Sequence, residues 1–555
     1  MILPILIVKD VFYMSNLTVN GFSSVDNNKN SGFIMSPEQQ RLSDKILRYF
    51  KSSYSFKQES GLFSLWDKIE KYWDGSIRQS QNPSSPSSNI NFIHSNIEAQ
   101  VALMLEQDIS INVNPCSPYE IPFCEHAETI LNFIKNKNRL RRVLDIHERQ
   151  REKFGTGIFR VLFDPYENNG LGLPLIDVCS PLDIFPDPSV TDVRKFQNGG
   201  FIIETFIKPI DWAKKHFGGA ADFIKPNYHP LNNYSCFPPD PQSDGQHYLH
   251  LLAFIKSGGV LRAVQMSGCG IILYDSFSFG DGVAFYKNNM FPYFFTPLYS
   301  REKSFWAKGD AEILIPLQDL VDDMDDQLRI NARLNGNPQR LVDISSNIDV
   351  DKWTNESGLI IPTSNIDGAK YLVPPEVPSY IIQRRESALK YERQILTRFS
   401  DQMLGQSSSS SKTATESLEL LRQGNVIISH KKMMLQETLS DLFSYCFELA
   451  KEFYTEETSF SAGDKCRFVN INPSSLAEVP YVPDTNSSDF LSQSFNMNNT
   501  PFRKEAHFDI KVSIGTSISQ QTKFQFTILQ EMFEKGVISS DEFKLWIVQN
   551  LDINI

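Results

Sequence analysis

The sequence predicts an α+β fold assembled in more than one part, on three observations. Apolar residues recur at helical spacing before Gly155, while the stretch from Gly155 to Tyr274 alternates with the period of two that suits strands. Two long, charged helix-like segments bracket a short β-like insert bounded by Pro338 and the cluster Pro374, Pro375 and Pro378. The chain has 555 residues, more than one ordinary domain, and roughly two to four domains follow.

The elements follow in order. The Asn/Ser/Lys-rich run Ser23 to Ser31 predicts disorder over 1–35. The apolar start Met1 to Val8 is followed at once by Lys9 and Asp10, with no basic region before it and no small-residue cleavage site. That argues against a secretory signal, is too short to cross a bilayer, and leaves Met14 or Met35 as alternative starts. Ser36 then suits an N-cap with Pro37 at the first helical position. Trp66, Ile69, Tyr72 and Trp73 fall at helical spacing, and Asn89 to Gln107 predicts another helix. Ile109 to Val113 alternates as a strand, and Glu125 to Phe154 reads as one long helix with a charged middle.

The segments Ile158–Phe163, Leu175–Val178 and Gly200–Ile207 predict strands of a mixed sheet, with Pro209–Phe217 a short helix. Tyr248–Ile255, Val260–Met266 and Gly270–Tyr274 continue as a meander. After Gly309 come the two charged helices, then a polar run and a helix from Thr413 to about Tyr454. Strands near Phe468 and Phe508–Val512, a polar loop Asp484–Thr500, and helices Gln520–Lys535 and Ser540–Leu551 complete the chain. There is no internal repeat and no heptad run.

The formal charge of −12 argues against non-specific nucleic-acid binding by a basic surface, though not against DNA passing through a space built not to hold it. Seven cysteines are scattered and odd in number, and Cys116 and Cys124 have no histidines at zinc-finger spacing, so reduced thiols are expected rather than disulfides or metal ligands. No Walker A loop, nucleophile elbow or HExxH motif occurs. His247 and His250 lie in a strand-like run where their rings point to opposite faces, which argues against a shared metal. Asp183 and Asp187 form a candidate carboxylate pair, although Asp before Pro more often ends a strand in a turn.

The helix from Gly309 carries Asp310, Glu312, Asp319, Asp322, Asp323, Asp325 and Asp326 before Arg329 and Arg333. The bland reading is a solvated face whose charges suit the helix dipole. Yet Asp319, Asp322, Asp323 and Asp326 fall on one face, and four like charges there cost stability in an isolated helix. Repeated around a ring, they would instead line a tunnel whose walls repel phosphates. A carboxylate metal cage is a third reading, weakened because one helix offers few converging ligands. The run Ser407, Ser408, Ser409, Ser410 and Ser411 reads as a linker, or as a loop into a channel with Lys412 able to touch phosphate.

Several segments share an order that belongs to one family. Trp66 and the run Tyr72 to Gly75 lead to His94–Val101, and Glu152–Gly157 carries a helix into a strand. Ser180–Pro188 reads SPLDIFPDP, and Gly309–Asp319 opens the first long helix. Leu404-Gly405, Thr413–Glu416 and Gly515–Ser517 follow in sequence. From about Met35 onward the chain resembles the portal proteins of tailed bacteriophages, the rings through which DNA enters and leaves the capsid.

The resemblance implies a homo-oligomeric ring, usually a dodecamer. It would have a wing at 36–308 with a return at 413–515, stem helices at 309–335 and 379–403, and a clip at 336–378. A tunnel loop at 404–412 and a small helical crown at 516–555 complete the set, after an N-terminal extension at 1–35. It implies double-stranded DNA in the channel, a terminase motor and head-completion or adaptor proteins at the clip, and major capsid protein against the stem. It implies neither enzymatic activity, cofactor nor membrane, and a location at the portal vertex of the virion, with host cytoplasm during assembly. The competing expectations are a metal-dependent hydrolase or nuclease using Asp183 and Asp187 or the Asp322–Asp326 cluster, and a different structural or adaptor assembly protein.

Overall fold

The computed structural model describes residues 35–78, 91–226, 245–279, 285–336, 339–344, 369–372, 378–391, 426–454, 458–461, 468–471, 478–480 and 503–514. The expected tunnel loop, the crown, the polar loop at 484–500 and all but the last residue of the N-terminal extension lie outside them. The chain divides into two compact units, one of Met1–Trp66, Glu98–Gly309 and Ile427–Ile555, the other of Asp67–Ile97 and Asp310–Val426. Helices α2 (Leu62–Trp73) and α3 (Phe92–Leu105) run across the division.

In the first unit, α1 (Pro37–Glu59) begins with the cap its sequence announces. Ser36 Oγ accepts from Gln39 N at 3.2 Å and Gln39 Oε1 accepts from Ser36 N at 3.0 Å, a reciprocal capping box. Its buried residues Ile46 and Phe50 pack on Phe185, Phe201 and Leu251. These lie on a five-stranded antiparallel sheet of β4 (Ile184–Pro186), β5 (Phe201–Pro209), β6 (His247–Ser257), β7 (Val260–Ser267) and β8 (Ile272–Asp275) in that order. The β6–β7 hairpin turns through Gly258 and Gly259, at φ +61° and +84°, the positive φ at both positions that a two-residue type I′ turn requires.

A second sheet places β2 (Thr156–Asp164) between β3 (Leu173–Val178) and β9 (Tyr293–Pro297). Short helices α6 (Glu167–Gly170) and α7 (Ile210–Phe217) follow β2 and β5. Pairs β1 (Ile109–Pro115) with β16 (Phe508–Ile514), β12 (Thr458–Ser461) with β13 (Phe468–Ile471), and β14 (Glu478–Pro480) with β15 (Arg503–Glu505) complete the described strands. Every named pairing in this unit is antiparallel, which corrects the expected mixed sheet. Only eight residues separate β2 from β3, too few for the crossover that parallel strands need.

The single helix expected over Glu125–Phe154 is two helices, α4 (Ile121–Lys137) and α5 (Leu140–Phe154). Asn138 ends the first: its Nδ2 donates to Ile134 O and to Pro174 O, both at 2.9 Å, while its Oδ1 accepts from Ile176 N. Arg139 then takes a left-handed conformation at φ +50° that no α-helix continues through. The side-chain amide thus exchanges helical continuity for a tie to β3.

The helix expected from Thr413 is described over Val426–Phe453, named α10 below in chain order. It buries Leu435, Leu439, Leu442, Phe443, Cys446 and Leu449, an apolar stripe at three- and four-residue spacing. The second unit holds α8 (Asp310–Gly336), the antiparallel pair β10 (Gln339–Val342) and β11 (Ala369–Leu372), and α9 (Ser379–Tyr391). Helix, β pair and helix follow the order helix, β-like insert, helix that the sequence predicts for 309–403, of which 337–338, 345–368, 373–377 and 392–403 lie outside the described residues.

Candidate functional site

The second unit carries the acidic helix and its neighbours. Asp310 and Glu312 sit in the first turn of α8, where negative charge suits the dipole. Pro316 deprives the helix of one backbone hydrogen bond near this end and is exposed. From Ala311 to Met324 the helix buries Ala311, Leu314, Ile315, Gln318, Val321, Asp322 and Met324.

The carboxylates have distinct surroundings. Asp319 accepts a hydrogen bond from the Tyr72 hydroxyl. Asp322, only 1% exposed, accepts from Gln318 Nε2 at 2.9 Å, and Gln318 Oε1 accepts from Phe92 N at 3.2 Å. Asn91 Nδ2 donates to the carbonyls of Tyr72 and Trp73 at 2.9 and 2.8 Å, tying the start of α3 to the end of α2. Asp325 pairs with Arg385 of α9, whose pKa the hydrogen bond raises, and Asp326 pairs with Arg329 at 2.8 Å. Asp323 alone of the four predicted tunnel residues is exposed.

Asp319, Asp322, Asp323 and Asp326 therefore share a helical face but differ in their burial and partners. On that face Asp322 is buried, Asp319 and Asp326 are half-buried, and Asp323 is exposed. A buried carboxylate needs a donor to offset its desolvation, and Asp322 takes one from Gln318, four residues back, whose amide oxygen in turn accepts from Phe92 N. Ser407 to Ser411 and Lys412 fall outside the described residues.

Beyond Asp326 the character of the unit changes. Ile330 and Leu334 of α8, Leu341 and Ile344 at the hairpin, and Tyr380 and Ile382 of α9 are all exposed, Tyr380 to 64% and Ile344 to 99%. Single exposed apolar residues are ordinary, but six on three adjoining elements of the chain form a set. Ala388 is the buried hydrophobic residue of α9 among those described.

The other sequence candidates resolve separately. Asp187 accepts from Ser189 N and Gly200 N, both at 2.9 Å, so it organises the turn leaving β4. Asp183 is pushed up to about 6 by burial, with Lys57 opposing and Glu204 reinforcing the shift. His250 is buried in β6 and lowered to about 3 by burial, with Lys208 adding to it, and its Nδ1 lies 3.1 Å from Tyr248 Oη. Among the described residues no group of three or more His, Cys, Asp or Glu is placed to hold a metal ion. No helix among them is long and apolar enough to cross a membrane.

Two buried charge networks in the first unit escaped the sequence reading. Arg160 of β2 donates to both Glu204 carboxylate oxygens at 2.9 Å, and Glu204 also accepts from Tyr293 at 2.7 Å and from Cys179 at 3.1 Å. In the other, Lys431 of α10 donates to both Glu152 oxygens, at 2.9 and 2.8 Å, and to Gln100 of α3. On the same α5 turn, Arg151 donates to Glu148 at 2.9 Å and to Lys431 O at 3.1 Å. Burial would raise Glu148, but Arg151 and His147 hold it at about 2. One signal was available: Arg160 interrupts an otherwise apolar strand. Glu152 and Lys431 carry no such mark.

No protein-family model matches the chain, and no curated protein matches it.

Proposed function

We propose that this chain is the subunit of a portal ring, the channel through which double-stranded DNA is packaged into and ejected from a phage capsid. The carrying observation is the pairing of α8 with α9 through Asp325 and Arg385, with the β10–β11 hairpin between them in sequence and six large apolar side chains left exposed on these elements. Among the described residues these elements leave six large apolar side chains exposed, which neighbouring copies in a ring would cover. The ordered segments from Trp66 to Ser517 that resemble portal proteins support the same reading.

On this proposal the ring is a dodecamer. The hairpin region is the clip that docks a terminase motor and then head-completion or adaptor proteins, and capsid protein meets the stem. The subunit is structural rather than catalytic, resides at the portal vertex of the virion, and assembles in the host cytoplasm. Asp323 is the carboxylate of α8 best placed to face a DNA channel, since it is exposed while Asp322 is enclosed. Negative-stain electron microscopy of the purified protein tests the proposal. Radially symmetric rings with a central hole support it and give the subunit count; compact single copies at high concentration sink it.

A further inference from the structure

The first unit contains a cavity of about 950 Å³ where the end of α3, the start of β1 and the junction of α4 with α5 meet. That is at the upper end of the roughly 300–1,000 Å³ typical of ligand sites. Its floor is apolar, with Leu105, Leu144 and Leu435, and Ile514 closes one side. Its rim carries Arg139 and Arg142, both exposed and, among the described residues, without an ion-pair partner. Asp145, also at the rim, is taken by Arg149 at 2.9 Å.

The positive rim is costly where it stands. Arg139, Arg141 and Arg142 surround the N-terminus of α5, the positive end of the helix dipole, and that first turn holds no acid and no side-chain cap. An apolar floor with an unneutralised basic rim fits a segment that is apolar on one face and acidic on the other. Glu106 and Asp108 line the α3–β1 side, so such a segment would turn its acids toward the arginine side of the opening.

We propose that this groove is the docking site of the chain's own C-terminal segment, residues 516–555. The described chain leaves off at Ile514, which itself lines the groove, so the segment starts at the opening and its effective concentration there is high. Residues 515–555 contain Glu531, Glu534, Asp541, Glu542 and Asp552 against Lys523, Lys535 and Lys544, an acidic excess that complements the rim. Phe543, Ile547 and Leu551 recur every four residues, one apolar stripe if that stretch is helical. The acids Asp541 and Glu542 precede that stripe, and on this proposal they meet Arg139 and Arg142. The inference does not rest on the ring reading, because a single chain contains both partners.

Hydrogen–deuterium exchange on the full-length protein tests it. The variants are Arg139→Glu with Arg142→Glu, Asp541→Arg with Glu542→Arg, and all four together. Each pair should speed exchange over 102–109 and 540–551 together, by about tenfold if the reversed contacts cost about 1.4 kcal/mol, and the fourfold variant should restore protection. Unchanged protection of β6 and β7 reports that the fold survives. A bifunctional crosslink between Ile146→Cys and Trp546→Cys, mapped by mass spectrometry, should join residues of one chain.

Exchange over 540–551 that ignores the groove variants overturns the proposal. So does a crosslink found only between copies. Protection of the groove by a short DNA duplex, equal in wild type and in the Asp541→Arg/Glu542→Arg variant, would assign the groove to phosphate instead and overturn it as well.

Discussion

Lys431 shows how a single residue can organise a core without any signature in its neighbours. Its ammonium is enclosed with Glu152 and Gln100, and desolvation of both ions is offset only while the pair is intact. Lys431→Met should therefore cost about 3–5 kcal/mol by leaving Glu152 charged and unpaired. Adding Glu152→Met should recover much of the loss, and urea unfolding midpoints would show whether it does. Asp183 makes the complementary case. Burial lifts it from 3.8 to about 6, so the folded state binds more protons than the unfolded state between those values. Its charge destabilises the fold at pH 8, and that penalty fades as pH falls from about 7 to 4. Asp183→Asn should raise the unfolding midpoint at pH 8 and leave it unchanged near pH 4. Glu148 runs oppositely: lowered from 4.5 to about 2, it stabilises above 4.5 and loses that contribution as pH falls toward 2.

At the scale of elements, α5 and β2 are packed so closely that one residue type is required between them. His147 lies on Phe159 with ring centroids 3.7 Å apart and its Nδ1 2.9 Å from Glu148. A Cβ on Gly157 would fall 2.3 Å from His147 Nε2. Gly157→Ala should cost about 1–3 kcal/mol as an overpacked core site, read as a lowered thermal midpoint. A variant as stable as wild type would mean that the helix and strand have room to part. The sequence announced α5 as helical and β2 as a strand, since each shows its own hydrophobic period. It could not announce the break at Asn138, because the groups that bond its amide, Pro174 and Ile176, arrive from β3.

For the whole molecule, the proposal of ring assembly concerns the surface left exposed in the second unit. Tyr380→Lys with Leu341→Lys replaces two exposed apolar residues with like charges that repeat around any ring. This pair should leave the circular dichroism spectrum unchanged and shift sedimentation from large assemblies to small ones. Asp323→Lys, by contrast, should leave assembly intact and slow DNA passage, measured as DNA packaged per procapsid. Normal packaging by that variant would sink the channel-facing role of Asp323.

The sequence alone determined the periodic elements, the capped start at Ser36, the two charged helices around a β insert, and the acidic character of α8. Each is a local property, carried by side chains within a turn or two of one another. Tertiary structure decided which charges are displayed and which are enclosed. Asp322 and Asp323 are adjacent and chemically identical, yet one is buried against Gln318 and the other faces water. Gln318, the donor to Asp322, is itself held by the Phe92 backbone, 226 residues away in sequence, and hydrophobic periodicity carries no information about that contact.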